Sequence, residues 1–223
     1  MNREAAKYFY SCLMNPKTPQ GLEYFTKKRG FSLPLIKRFG MGYAPEGWNG
    51  LRDHLKSKGY SYEQMLQANL IQKSREKESY YDVFRNRVMV PILDVSGNVI
   101  AFGGRLLEDG KQPKYLNTSD TPAFRKSKNL FALNFAKDYC SDRMILCEGY
   151  MDVIALHGAG FSNAVATLGT AMTPDHARMM KRYTKSVVIS YDADTAGQNA
   201  ADKAFRLLGE VGLEARLLKV ENA

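Results

Sequence analysis

The chain has few of the residues that bind metals through nitrogen or sulfur, or that cross-link. It carries 3 cysteines (Cys12, Cys140, Cys147) and 3 histidines (His54, His157, His176) among 223 residues. None forms a CxxC pair or a Cys/His cluster, so the sequence offers neither a zinc site nor a disulfide framework, and its cysteine usage suits a reducing cytoplasm. Each histidine reads as a surface or core residue. No apolar run approaches the roughly 18 residues that a membrane span requires. The opening MNREAAKYFYSCL lacks the apolar core and small-residue cleavage site of a signal peptide. There is no internal repeat and no low-complexity tract. What remains is an ordinary globular composition, 25% charged and 44% hydrophobic, long enough for one large or two small domains.

The charge is uneven. The net charge is +9, yet residues 144–223 carry 8 Lys and Arg against 9 Asp and Glu, whereas residues 1–143 carry 24 against 14. A basic segment beside an acidic one suits a phosphodiester enzyme, in which one part holds a polyanion and the other a metal at the reacting phosphate. A solvated basic surface is the plainer alternative.

The acidic part is organised around two apolar runs that each end at carboxylates. Met144-Ile145-Leu146-Cys147 stops at Glu148, and Asp152 follows; the run 186–191 (SVVISY) stops at Asp192, Ala193, Asp194. Such runs predict buried strands, each followed by a helix. In an open parallel sheet the carboxyl ends of the strands form the ligand-binding edge. Glu148 and Asp152 stand at i and i+4, a spacing that shares a helix face. Asp192 and Asp194 stand two apart, which in an extended segment points them the same way. Carboxylates gathered there call for a divalent cation with oxygen ligands, Mg2+ when phosphate is the partner. Each acid alone has a simpler reading: Asp194 suits the N-cap of a helix starting at Thr195, and Asp152 a first-turn acid.

Along the chain, helices are expected over 2–15, 19–29, from Ser32, over 49–58 and over 61–68, with a strand edge and loop at 38–48. Residues 80–107 predict a β-hairpin turning at Ser96-Gly97-Asn98, with Pro91 marking an edge or bulge. Residues 108–128 read as a polar, basic loop, and 133–143 as helix-like. Strands at 144–147, 163–167, 186–191 and 213–220 alternate with helices at 150–159, 173–183 and 195–208. Thr173-Pro174-Asp175 is a strong helix start. The expected fold is α/β, a mostly parallel sheet flanked by helices and preceded by a mixed α+β basic subdomain. The domain boundary falls between Ala132 and Arg143, giving domains 1–140 and 141–223.

EGYMD (148–152), LGT (168–170) and YDAD-xx-G (191–197) resemble the Toprim domain of bacterial primases, topoisomerases and some nucleases. RFGMGYAP (38–45), FRNRVMVPILD (84–94), AFGGR (101–105), PKYLN (113–117) and FRKSKNL (124–130) resemble, in the same order, the basic N-terminal half of the bacterial DnaG-type primase polymerase core. The resemblance covers nearly the whole chain. It implies RNA primer synthesis on single-stranded DNA during replication, catalysed by a DNA-directed RNA polymerase. The reaction is nucleotidyl transfer: a 3′-hydroxyl attacks the α-phosphate of an incoming ribonucleotide and pyrophosphate leaves. It further implies Mg2+ or Mn2+ held by Asp152, Asp192 and Asp194, with Glu148 a further ligand or the acceptor of the hydroxyl proton. Arg105, Lys114, Asn117 and Lys126 would line a nucleotide and template groove, Arg38, Arg85 and Arg87 its basic surroundings, and Tyr115 would stack on a base or pack within its loop. Gly103 and Gly104 would let backbone approach a phosphate, or simply form a turn. The implied partners are single-stranded DNA, ribonucleoside triphosphates, the RNA primer and, through regions outside this sequence, the replicative helicase. A cytoplasmic monomer at the replication fork, without membrane contact, is expected.

Two features of the family are expected but not present: an N-terminal zinc-binding module, and an Asp-Pro-Asp pair where the sequence stops at Glu221-Asn222-Ala223. On this reading the sequence is a fragment. Two other functions stay open. Another Toprim chemistry, nuclease or topoisomerase, would share the acids, though no nucleophilic tyrosine is identifiable. Alternatively, the chain is a catalytically incomplete module that binds single-stranded DNA.

Overall fold

In the computed structural model, residues 1–74, 78–108 and 113–218 are described. The chain forms two compact units, Met1–Leu93 with Asn98–Phe124, and Asp94–Gly97 with Arg125–Ala223.

In the first unit, local chemistry sets most helix ends. α1 (Asn2–Leu13) buries Ala5, Phe9 and Leu13, one stripe at i, i+4, i+8. α2 (Gln20–Glu23) continues into a π-helical turn, Tyr24–Lys28. α3 (Leu33–Phe39) starts at Ser32, whose hydroxyl accepts the Leu35 N–H, and ends at Gly40 in the left-handed region (φ 62°). β1 (Gly42–Ala44) follows, and a Cβ on Gly42 would lie 2.5 Å from Phe9, so α1 packs directly on this strand. α4 (Gly50–Ser57) has no cap of its own; the buried Asp82 carboxylate accepts the Leu51 and Arg52 N–H groups, both at 2.9 Å. α5 (Tyr62–Gln67) begins in a Ser61/Gln64 capping box.

β2 (Ile71–Lys73) and β3 (Tyr80–Asp82) pair antiparallel, so Tyr80–Asp82 forms a separate ribbon with residues 71–73 instead of part of the hairpin expected over 80–107. β4 (Arg87–Leu93) and β5 (Val99–Leu106) form the expected hairpin in a sheet of order β1-β4-β5-β6. Pro91 lies beyond the end of β1, which pairs only Arg87 to Met89, and a register shift follows at Ile92/Leu93. The missing proline N–H therefore costs no ladder bond on that side. Gly103 and Gly104 are neither a turn nor a loop: they lie within β5, opposite Asn117 and Leu116 of β6 (Tyr115–Asn117). The expected loop at 108–128 thus contains a strand; its residues 109–112 lie outside the described residues. A Cβ on Gly104 would sit 3.0–3.2 Å from Arg87, Phe84 and Met89, so the glycine admits their side chains.

In the second unit, a single turn, α6 (Leu133–Ala136), replaces the longer helix expected at 133–143. β7 (Met144–Cys147), α7 (Tyr150–Gly158), β8 (Ala164–Ala166), α8 (Pro174–Lys181), β9 (Ser186–Ser190), α9 (Thr195–Glu210) and β10 (Glu214–Leu217) alternate as expected. β10 is shorter than the strand expected over 213–220, since Leu213 and Leu218 lie outside it; residues 219 and 220 lie outside the described residues. The sheet order is β10-β9-β7-β8, with every pairing parallel. One face buries Leu146, Val187 and Ile189 against Ala177, Met180, Ala204 and Leu208 of α8 and α9. Among the described residues no helix is long and apolar enough to cross a membrane.

Asp82→Ala leaves two N–H groups at the start of α4 without their acceptor. It is expected to lower stability by about 1–3 kcal/mol in urea unfolding; no change would show that α4 does not depend on this carboxylate.

Candidate active site

The second unit's topology creates a crevice. From β7 the chain crosses to β8 on one side, and from β9 to β10 on the other. Right-handed crossovers then send α7 and α9 to opposite faces. Among the described residues α7 contributes nothing to the core beneath α8 and α9, as this requires. The carboxyl ends of β7 and β9 are adjacent, with Cys147 opposite Ser190, and form the topological switch point where ligands bind in such sheets.

Glu148 leaves β7 there and Asp192 follows β9. The two loops are joined: Glu148 Oε2 accepts the Asp192 N–H at 3.2 Å. Asp152 lies in the first turn of α7, close enough to Gly149 that a Cβ there would sit 3.2 Å from its Oδ2. Asp194 caps α9, its Oδ1 accepting the Gly197 N–H at 2.7 Å. All four carboxylates are exposed. A cavity of about 940 Å3 opens at this edge, lined in part by Asp152, Tyr191, Asp192, Gln198 and Asp202.

Loop geometry, not residue spacing, directs two of these acids. Glu148 precedes Gly149, the N-cap of α7, so its hydrogen bond to the Asp192 loop sets its direction rather than a helix face shared with Asp152. The chain bends at Ala193 and Asp194, turning Asp194 onto its own helix instead of alongside Asp192.

The environment has consequences for the neighbouring groups. Burial pushes the Cys147 thiol up to about 12, with the Asp152 carboxylate adding to the effect, so Cys147 is a protonated, unreactive wall. Burial, then the charge of Glu148, also raises the Tyr191 hydroxyl. Among the described residues no group of three or more His, Cys, Asp or Glu side chains is close enough to enclose a metal. An exposed, all-oxygen pair with two flanking carboxylates nonetheless fits Mg2+, which takes one or two carboxylates and fills its octahedron with water and phosphate.

In the first unit, β6 pairs with β5 so that Tyr115 lies opposite Arg105 and Asn117 opposite Gly103. Lys114 is exposed and Tyr115 is 43% exposed. Arg87 and Arg105 are not surface cations. Arg87 is 1% exposed and donates to the Pro113 and Lys114 carbonyls at 2.8 and 3.2 Å, fastening PKYLN to β4. Arg105 is 7% exposed, donates to the Leu106 carbonyl, and lies 4.9 Å from the Tyr24 ring centroid and 5.9 Å from that of Tyr115. Arg85 is half-buried and stacks on Trp48 at 4.2 Å and Tyr81 at 5.2 Å, donating to the Asp82 carbonyl. Burial, first of all, lowers its pKa. Arg38 is exposed on α3. Lys126 belongs to the second unit, in a short 3-10 turn (Lys126–Lys128). Trp48, Tyr81 and Tyr24 lie outside the residues that sequence motifs single out. The available signal was the chain's one tryptophan set in a Gly- and Pro-rich stretch, 61% exposed in the structure.

Gly197 connects the acidic loop to α9: a Cβ there would lie 2.2 Å from the Asp192 carbonyl oxygen. Helix propensity alone predicts that Gly197→Ala stabilises by up to about 1 kcal/mol. The clash predicts the opposite sign, a loss of about 1–3 kcal/mol in denaturant unfolding; a stabilised variant would show that the loop does not rest on the helix.

Residues 8–137 match the family described as DNA primase catalytic core, N-terminal domain, and residues 145–223 match the family described as Toprim-like. The DNA primase of Clostridium acetobutylicum is 47% identical over 221 residues, 99% of this chain and 36% of that protein. The zinc-binding and RNA polymerase domains of Aquifex aeolicus primase superpose with a TM-score of 0.89 at 35% identity, over 100% of this chain and 54% of that one. A DnaG primase catalytic domain bound to single-stranded DNA gives a TM-score of 0.88 at 36% identity, over 100% and 72%. The chain spans about a third of the length of the curated relatives it matches, 36%, 34% and 32% for three of them. With one family matched over more than half its length and the Toprim-like match over most of the remainder, the chain belongs to the DNA primase catalytic core family.

Proposed function

We propose that the chain carries the catalytic core of a DNA primase, which joins ribonucleotides on a single-stranded DNA template. The observation that carries this reading is the Glu148–Asp192 link at the switch point of a parallel sheet, in a chain whose other unit presents a basic, aromatic strand edge. The match to relatives named DNA primase, and to a solved DnaG primase catalytic domain bound to single-stranded DNA, supports it. The family boundary between 137 and 145 supports a functional division into 1–140 and 141–223.

In this mechanism Glu148 and Asp192 would hold Mg2+ or Mn2+ at the ends of β7 and β9, with Asp152 and Asp194 as the flanking carboxylates. The bound cation would lower the pKa of the 3′-hydroxyl and neutralise charge on the α-phosphate and the leaving pyrophosphate. Glu148 is oriented through one oxygen by the Asp192 amide, and its other oxygen would ligate the cation or accept the hydroxyl proton. Lys114 and Lys126 act as point charges on phosphates, and Asn117 supplies an amide to the groove. Tyr115 and Trp48 offer faces on which bases stack, each worth ~1–3 kcal/mol. Arg105, held against Tyr24 and Tyr115, orients the strand edge, and Arg87 fixes the Lys114 backbone. Arg38 and Arg85 add to the positive field.

Incorporation of labelled ribonucleotides on primer-free single-stranded DNA tests this directly. With Mg2+ or Mn2+ an alkali-labile product is expected, and Asp192→Asn is expected to reduce it by about 100-fold or more. Metal-dependent cleavage of plain duplex, without nucleotides, would assign the acids to nuclease chemistry instead. Lys114→Ala combined with Lys126→Ala should weaken single-stranded DNA binding and flatten the slope of log K against log salt by about 1.4, ~0.7 per lost phosphate contact; an unchanged slope would remove both from the groove.

A further inference from the structure

His176 is a core histidine, fully enclosed, and makes hydrogen bonds through both ring nitrogens. It stands at the third position of α8, where a Glu or Gln usually closes the capping box. Its Nδ1 accepts the Thr173 N–H at 3.2 Å, which leaves Nε2 as the donor. That Nε2–H points between two carbonyls, Lys126 O at 2.9 Å and Asn129 O at 3.1 Å. Thr173 Oγ1 accepts the His176 N–H and donates to Ser127 O at 3.0 Å. The Arg125 carbonyl accepts from Asn129 Nδ2 and from the Lys128 N–H. Burial lowers the imidazole's pKa, which keeps it in this neutral form.

These bonds account for the shape of the 125–129 segment. With the carbonyls of 126, 127 and 129 turned inward onto the α8 N-terminus, the side chains of Arg125 and Lys128 are exposed and that of Lys126 is partly buried at the surface. The segment is a strap carrying three cations, fastened at its backbone.

We propose that His176 is a positioning residue for nucleic-acid binding: its Nε2–H fixes the strap so that Lys126, with Arg125 and Lys128, faces the phosphates of a single-stranded polynucleotide. This rests on the assignment of Lys126 to the template groove, and the test separates the two.

The test measures anisotropy of a labelled single-stranded oligodeoxynucleotide titrated with the chain across a range of salt, for His176→Ala, His176→Gln, Lys126→Ala and the double variant His176→Ala/Lys126→Ala. If His176 acts through Lys126, His176→Ala weakens binding by about the factor that Lys126→Ala does, roughly threefold to tenfold, and flattens the salt slope. The double variant is then no weaker than Lys126→Ala alone, because the two lie on one path. His176→Gln, which keeps an N–H aimed at the strap, restores most of the affinity. Should His176→Ala not fold, Thr173→Val removes the bond to Ser127 and is expected to weaken binding in the same salt-dependent way. A Lys126→Ala effect with normal binding by His176→Ala, or fully additive losses in the double variant, overturns the positioning role. No effect of Lys126→Ala overturns the groove assignment and the inference with it.

Discussion

Like charges repel, and the structure depends on keeping several of them together at one sheet edge. Glu148 and Asp192 emerge side by side because β7 and β9 pair in parallel with Cys147 opposite Ser190. The Asp192 amide compensates part of the Glu148 charge, and the N-terminus of α9 compensates Asp194 through the Gly197 amide. Gly197 has no side chain because the Asp192 backbone occupies that space. The remaining negative charge is exposed, open to a hard cation and to the phosphates that such a cation brings.

The basic unit meets the opposite problem, how to hold cations in a fixed array without losing them to water or burying them at prohibitive cost. Burying a guanidinium is unfavourable unless its donors are used. Arg87 uses two of them on the Pro113 and Lys114 carbonyls, just before β6, so an enclosed charge orders an exposed one. Arg85 and Arg105 lie against aromatic faces, which favour cations electrostatically and present flat surfaces. His176 does the equivalent for Lys126 with a neutral ring. For Arg87 and His176 a buried side chain engages backbone carbonyls, and an adjoining lysine is the cation left at the surface.

Much of this is legible in the sequence. The runs at β7 and β9, the Thr173-Pro174 start of α8, the Ser32 and Asp194 caps and the hairpin at Ser96-Gly97-Asn98 are local signals, and the chain obeys them. The short β6 was not legible: three residues, one of them aliphatic, carry no usable period, and pairing with β5 and the Arg87 bonds define the strand. Nor could sequence alone separate Arg85 from Arg87. The left-handed Asn86 between them (φ 50°) turns one toward Trp48 and the other into the interior. Spacing rules failed for the acids where loops intervene, since periodicity holds only inside regular elements.

The central claim is that Glu148 and Asp192 share one cation. Binding of Mn2+, followed by electron paramagnetic resonance of the free ion, should be measured for the native chain, Glu148→Gln, Asp192→Asn and the double variant. A shared site predicts that each single variant loses at least about tenfold in affinity and that the double variant loses little more than the worse single one. Unchanged Mn2+ binding in both single variants would contradict the account.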